Sequence, residues 1–251
     1  YNFAMPEEQN RVLTDHLSTL LFCPTRKAVE QLRKEGIEEG KKYAGSYLRE
    51  RVVALSGDIM ADALFSFSLK ATEKRSAEAL DLESDGYALV TLHRAENTDS
   101  PGRLKSIIRE LGHLPLPLLL PLHPRTAQVI QREKIKLPGN LRVIEPQGYL
   151  DMISLERTAR CIITDSGGIQ KEAYLLKVPC VTVRAETEWP ETLVHGWNRL
   201  AVVEGALHVC EKVDEALALE RERAHWPACY GDGHAAEKIR ERIESWEKRF
   251  L

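Results

Sequence analysis

The stretch Cys161-Ile162-Ile163-Thr164-Asp165-Ser166-Gly167-Gly168-Ile169-Gln170-Lys171-Glu172 carries the strongest signal in the chain. Its first four residues form a short apolar run of the kind that makes a strand buried on both faces. Two glycines follow, and an amphipathic pattern starts immediately after them. This is a strand, a tight turn and a helix. The glycines allow a ligand to approach the backbone, and the first turn of the helix offers N–H groups to an anion. A phosphate fits such a turn, although a plain βα connection would read the same way. Glu172, one turn into the helix, is placed to accept hydrogen bonds from ribose hydroxyls.

Outward from this turn the pattern repeats. Val52–Leu55, Tyr87–Leu92, Leu118–Leu122, Leu141–Ile144 and Cys180–Val183 read as further buried strands. Helical patterns separate them over Ser100–Leu114, Arg125–Lys134, Leu150–Arg160 and Gly168–Lys177. Such spacing suits right-handed βαβ crossovers, so the class is α/β with a parallel sheet. At the ends, Pro6-Glu7-Glu8 opens a helix expected to run through Val12, Leu13 and Leu17 toward Leu21. Ala206–Arg223 and His234–Leu251 read as charged helices, and Lys41–Ser46 and Glu73–Asp85 as linkers or surface helices.

More polar clusters are expected at the same carboxyl edge of the sheet. His93-Arg94-Ala95-Glu96-Asn97 follows one strand. The histidine suits acid–base work and the arginine suits phosphate, while a solvated helix cap is the plainer alternative. Leu122-His123-Pro124 follows the next strand, and Pro124 at a helix start leaves His123 in the loop mouth. Glu145-Pro146-Gln147-Gly148-Tyr149 ends another strand. Arg184-Ala185-Glu186-Thr187-Glu188-Trp189-Pro190-Glu191 follows the strand after the glycine turn, with acids and an indole that suit either a sugar or a helix cap. Together, these clusters outline a nucleotide crevice.

Composition sets bounds. The 251 residues carry 35 Lys and Arg against 38 Asp and Glu, a net charge of −3, without the basic excess expected of a nucleic-acid partner. No apolar run approaches the roughly 18 residues of a membrane span. The 5 cysteines are scattered, with no C-x-x-C pair. They read as reduced thiols in a cytoplasmic protein, with Cys161 and Cys180 as core fillers and neither a disulfide framework nor a metal site.

In this order the motifs closely resemble the non-hydrolysing UDP-N-acetylglucosamine 2-epimerase family. The carrying residues are Pro6-Glu7-Glu8 with Asn10-Arg11, Thr14-Asp15-His16, Gly57-Asp58 with Asp62-Ala63, His93-Arg94 with Glu96-Asn97, Leu122-His123-Pro124, Thr164 to Gln170 with Glu172-Ala173, and Tyr230-Gly231-Asp232-Gly233. The resemblance implies two Rossmann-like domains of GT-B type facing across a cleft. Residues 1–58 are expected to be the C-terminal remnant of a truncated first domain. Residues 59–251 are expected to form the second, UDP-binding domain, with a C-terminal helix crossing back. The implied reaction interconverts UDP-N-acetylglucosamine and UDP-N-acetylmannosamine by elimination and readdition of UDP, without a cofactor, in polysaccharide biosynthesis. It also implies Glu7 and His93 as catalytic. Arg94, His123, Gln147, Ser166, Gly167, Gly168, Glu172 and Glu188 are implied to bind the substrate. A homodimer is the family expectation, and a chain lacking half the cleft is expected to turn over little. Two departures stand out: Trp189 where many members carry arginine, and Ala95 where a second arginine is common. A glycosyltransferase of the same fold, the hydrolysing epimerase branch and a UDP-binding module without turnover are the alternatives.

Overall fold

A computed structural model describes residues 6–40 and 50–250, apart from the side chains of Glu7, Arg249 and Phe250. The segment Lys41–Ser46, read above as a linker or surface helix, lies outside these residues. The chain forms two compact units. One combines the residues up to Phe65 with those from Pro227 onward, and the other is Ser66–Trp226.

In the first unit, helix α1 (Pro6–Leu17) precedes strand β1 (Leu20–Cys23), helix α2 (Arg26–Lys34), strand β2 (Val52–Leu55) and the start of helix α3 (Ile59–Thr72). The first helix stops at Leu17 rather than running toward Leu21. Leu20–Cys23 is instead a strand, paired in parallel with β2 from Leu20↔Val52 to Cys23↔Leu55. Alternate residues explain this: Leu21 and Cys23 are buried with Leu32, Ile37 and Val53, a period-2 pattern that the preceding helical signal obscured. Pro24 follows the strand, and the Thr25 hydroxyl caps α2 by accepting from the Ala28 N–H at 3.1 Å.

Several motif residues make structural contacts within this unit. Arg11 bridges Glu8, Asp15 and Glu35 at 2.8–2.9 Å. Asp62 accepts from the N–H groups of Ala235 and Ala236 at 3.0 and 2.7 Å, capping the C-terminal helix Ala235–Phe250. Gly57 and Gly231 meet backbone to backbone, both at positive φ (+87° and +95°), and a Cβ on Gly231 would sit 3.1 Å from the Gly57 Cα. Gly231→Ala is therefore expected to cost about 1–3 kcal/mol, read from the urea midpoint, because both φ and space oppose a side chain. An unchanged midpoint would contradict this account of the glycine pair.

The second unit is built on strands β3 (Ala88–Thr91), β4 (Leu118–Pro121), β5 (Leu141–Ile144), β6 (Cys161–Thr164), β7 (Cys180–Thr182) and β8 (Asn198–Leu200). All pair in parallel, in the order β5-β4-β3-β6-β7-β8. Helices α4 (Ala95–Thr98), α5 (Pro101–Leu111), α6 (Pro124–Arg132), α7 (Tyr149–Thr158) and α8 (Gly167–Leu175) lie in the connections. On one face Ala88, Val90 and Leu92 pack with Leu104, Ile107 and Ile163; on the other, Tyr87 and Leu89 pack with Leu119, Leu155 and Ile162. Burial on both faces is why the central strands β3, β4, β6 and β7 read as continuous apolar runs.

The expected helix over Ala206–Arg223 is shorter, α9 at Val209–Leu217. Ala206-Leu207 (β10) instead pairs antiparallel with Val202-Val203 (β9) around Glu204 and Gly205, both at positive φ. Gly205 suits the left-handed backbone that a two-residue hairpin turn requires. Strand β8 escaped the sequence reading because Asn198-Arg199-Leu200, at the sheet edge, is too polar to resemble the buried strands. Glu73–Asp85 contains a single 3-10 turn, Glu78–Leu80. Among the described residues no helix is long and apolar enough to cross a membrane.

Candidate active site

In chain order the strands of this sheet follow the 3-2-1-4-5-6 arrangement, so the winding direction reverses between β3 and β6. Loops leaving adjacent strands at such a reversal diverge to opposite faces and open a crevice at the carboxyl edge. The loop after β3 begins with His93-Arg94 and the loop after β6 with Asp165-Ser166.

Asp165 ties the two loops together. It is fully buried, and its carboxylate accepts from the N–H groups of His93 (3.1 Å) and Arg94 (3.0 Å) and from Asn97 Nδ2 (3.1 Å). His93 Nδ1 lies 3.2 Å from Asp165 Oδ1. Burial by itself would raise the Asp165 pKa. Hydrogen bonds from His93, Asn97 and the Arg94 backbone outweigh it and hold the carboxyl below its ordinary value. Asn97 also donates to the Val183 carbonyl at 3.0 Å, extending the tie to the end of the next strand. Beneath the turn, Thr164 Oγ1 accepts from the Ser166 N–H at 2.9 Å and meets Thr91 Oγ1 at 2.6 Å.

Ser166 is the N-cap of α8, so Gly167 and Gly168 form that helix's first turn. A Cβ on Gly167 would lie 3.5 Å from Glu188 Oε2, 3.5 Å from Trp189 Nε1 and 3.6 Å from Arg94 Nη2. The turn therefore brings together a guanidinium, a carboxylate and an indole edge over a helix N-terminus. Glu188 is gripped by buried Arg184, whose Nη1 donates to both carboxylate oxygens at 2.8 and 2.9 Å and whose Nε lies 3.7 Å from Glu96 Oε2. Burial pushes the Glu188 pKa up, but the Arg184 hydrogen bonds overcome it and keep the carboxyl below its usual range.

The other expected residues surround this centre. The His123 ring stands 5.5 Å, centroid to centroid, from that of His93. Its Nδ1 accepts from the Arg125 N–H at 3.2 Å as it caps α6. Gln147 lies apart, beyond the end of edge strand β5, with Nε2 donating to the Glu145 carbonyl at 2.7 Å. Two residues later Tyr149 opens α7 and hydrogen-bonds Glu172. The Glu7 side chain lies outside the described residues.

Glu172 has an unforeseen neighbour in Glu156 on α7, which is 1% exposed. Burial, and then the adjacent Glu172, raise the Glu156 pKa well above the ordinary glutamate value, and burial raises that of Glu172 as well, so the pair resists carrying two charges. The consequence for stability has a definite sign. Above about pH 4.5 the unfolded chain releases a proton that folded Glu156 retains, so its contribution to stability falls as pH rises. Glu156→Gln is expected to gain stability over the unmodified chain progressively as pH rises above about 4.5, followed by denaturant midpoints. Midpoints that keep a constant separation across that range would contradict the buried neutral acid.

Sequence reasoning quoted Asp165, Asn97 and Arg184 within motifs without singling them out. A lone acid immediately after a buried strand was the available signal for Asp165. Nothing in the local pattern marked Arg184 as buried. Among the described residues no group of three or more His, Cys, Asp or Glu is placed to hold a metal ion.

Sheet order and glycine turn define a Rossmann-like parallel α/β unit of GT-B type. The profile of the UDP-N-acetylglucosamine 2-epimerase family matches residues 1–244, and the chain belongs to that family. It is 46% identical over 207 residues to a UDP-N-acetylglucosamine 2-epimerase homolog of Methanococcus maripaludis, covering 80% of this chain and 54% of the relative. It is 42% identical over 244 residues to the UDP-2,3-diacetamido-2,3-dideoxy-D-glucuronate 2-epimerase of Pseudomonas aeruginosa, covering 96% and 64%. The crystal structure of the Methanocaldococcus jannaschii UDP-GlcNAc 2-epimerase in complex with UDP-GlcNAc and UDP superposes with a TM-score of 0.81 at 36% identity, covering 98% of this chain and 66% of that one. The chain thus spans between about half and two thirds of the length of these relatives.

Proposed function

We propose that the protein bearing this chain is a UDP-sugar 2-epimerase that interconverts UDP-N-acetylglucosamine and UDP-N-acetylmannosamine, with the β3/β6 crevice as its UDP site. The observation that carries this reading is the meeting of His93, Arg94 and the Ser166-Gly167-Gly168 turn at the sheet's switch point, held by one buried aspartate. In this reading the α8 N-terminus and Arg94 take the diphosphate, and Glu172 takes the ribose hydroxyls. Gln147 lies toward the uracil, and His123 and Glu188 border the sugar. Such donors stabilise the charge that builds on UDP as it departs.

The reaction then runs as an elimination followed by an addition. A base removes the C2 proton, the C1–oxygen bond breaks and its electron pair leaves with UDP, forming a 2-acetamidoglucal. UDP oxygen then returns to C1 while a proton is delivered to the opposite face of C2. His93 suits proton exchange beside the diphosphate, because Asp165 engages Nδ1 and leaves Nε2 as the working ring nitrogen. Glu7 is proposed as the catalytic carboxylate. The enzyme would act in the cytoplasm as a homodimer, supplying N-acetylmannosamine units to polysaccharide, without a nucleic-acid or membrane partner. The net charge of −3 supports the former exclusion.

The test is incubation of the protein with UDP-N-acetylglucosamine in deuterated water. Formation of UDP-N-acetylmannosamine with deuterium at C2 is expected. Sugar transfer to an acceptor without C2 exchange, or release of free N-acetylmannosamine, would overturn the assignment. The 42% identity to the Pseudomonas enzyme supports a second substrate reading, C2 epimerisation of a UDP-diacetamido uronate. Parallel assays with the two sugars decide between them by kcat/KM.

A further inference from the structure

Glu188 and Arg184 meet at the point of the glycine turn where the proposed diphosphate would lie. Arg184 is 2% exposed and its backbone is fixed: its N–H donates to the Thr182 carbonyl at 2.8 Å, and its carbonyl accepts from Val202 at 3.3 Å. The Glu188 side chain is 34% exposed. Its Oε2 lies 3.5 Å from the place a Cβ on Gly167 would take, in the first turn of α8, and Arg94 Nη2 lies 3.6 Å from the same point. Arg184 Nη1 reaches both oxygens of the carboxylate, at 2.8 and 2.9 Å. Against the upward push of burial, the Arg184 hydrogen bonds and the nearby charge of Arg94 keep the carboxyl ionised.

A carboxylate thus occupies an anion position, over a helix N-terminus and between two guanidiniums. A diphosphate brought to Gly167 meets that like charge directly, and like charges in contact oppose binding. The same geometry supplies the remedy. A ligand oxygen that takes the place of the carboxylate falls within hydrogen-bond reach of Arg184 Nη1 and beside Arg94. Arg184 requires such a replacement, because a buried guanidinium stripped of its partner is strongly destabilising. A guanidinium also suits phosphate as well as it suits carboxylate.

Resting on the UDP-site reading above, we infer that Glu188 is an internal stand-in for the diphosphate, and that UDP displaces it from the turn and takes over Arg184 as a buried phosphate partner. The displaced carboxylate turns toward the sugar that it borders in that reading. Glu188 keeps Arg184 neutralised while the site is empty, and its displacement limits how tightly the nucleotide is held.

Calorimetric titration of the 251-residue chain with UDP and with uridine tests this. Glu188→Gln removes the competing charge and is expected to tighten UDP about tenfold while changing uridine affinity less than about twofold. Arg184→Met leaves the carboxylate over the turn without its cation and is expected to weaken UDP about tenfold. Glu96→Gln is the control, since Glu96 Oε2 lies 3.7 Å from Arg184 Nε. It removes a negative charge beside the same arginine without vacating the turn, and is expected to change UDP affinity less than about threefold. Should a variant fail to fold, the unmodified chain still decides through the carbon-13 resonance of the Glu188 carboxyl. The charged groups around that carboxyl are Arg184, Arg94 and, across Arg184, Glu96. With saturating UDP it is expected to titrate at higher pH than in the free chain, having lost Arg184 and gained an anionic neighbour. UDP weakened or unchanged in Glu188→Gln with uridine retained, UDP unaffected in Arg184→Met, an equal gain in Glu96→Gln, or a Glu188 carboxyl whose titration UDP does not raise would overturn the inference alone. Failure of the unmodified, folded chain to bind either compound would overturn the UDP-site reading, and the inference with it.

Discussion

Asp165→Ala is expected to lower the free energy of unfolding by about 3–5 kcal/mol and to abolish UDP binding in the same protein. The carboxylate is fully buried and serves two backbone N–H groups, an amide and an imidazole. Removing it strands those donors in a dry environment, where each unpaired group is costly. The stability loss and the binding loss share one cause, since the His93-Arg94 loop is held to the glycine turn through this side chain. Asp165→Asn gives the finer test. The isostere keeps one acceptor oxygen but turns an NH2 toward donors, so it should recover only part of the stability. The charge adds a pH signature. Because the folded Asp165 pKa is depressed, its contribution is fully present above the ordinary aspartate range and is lost as pH falls through the folded value. The advantage of the unmodified chain over Asp165→Asn should therefore shrink in acid. A variant that unfolds at the wild-type midpoint would remove Asp165 from the centre of the site.

His93→Ala is expected to reduce kcat for UDP-sugar epimerisation by about 10²–10⁴-fold while leaving the free energy of unfolding within about 1 kcal/mol of wild type. The His93 side chain is 38% exposed, and the backbone N–H that Asp165 accepts survives the substitution. Little folding energy is therefore at stake. His93→Gln, which restores a donor toward Asp165 but cannot exchange a proton near neutral pH, should remain close to the alanine variant in kcat. Activity near wild type in either variant would show that proton exchange occurs elsewhere. Arg94→Ala should act differently, raising KM more than it lowers kcat, because its guanidinium beside Gly167 holds the diphosphate in both ground and transition states.

The sheet was largely legible in the sequence because its central strands β3, β4, β6 and β7 are buried on both faces. Residues such as Leu89, Leu119 and Ile162 have no solvent side, so the strands are unbroken apolar runs bounded by turn residues. The glycine turn, His93 and Arg94 were legible for the same reason, since strand ends could be counted from those runs. The elements that escaped belong to another physical class. Strand β1 follows a helix with only Ser18 and Thr19 between, so two periodicities abut without a strong breaker. Strand β8 lies at a polar edge. What sequence order could not show was pairing across distance. Lys171 and Trp189 are 18 positions apart along the chain, and their stacking exists only because β7 returns the loop to the start of α8. The same holds for Glu156 and Glu172, two acids in separate helices whose proximity appears only once α7 packs on α8. The Gly57 and Gly231 motifs, which belong to the family resemblance, pack against each other as backbone contacts within the first unit.

The most direct test of the account is amide hydrogen exchange on the folded 251-residue chain with and without UDP. UDP is expected to slow exchange selectively at the start of α8, from Ser166 to Gly168, and in the His93-Arg94 loop, with the strands of the sheet unchanged. A saturating concentration of UDP that leaves these amides exchanging at their free rate, in a chain whose sheet remains protected, would contradict the assignment of the β3/β6 crevice as the nucleotide site.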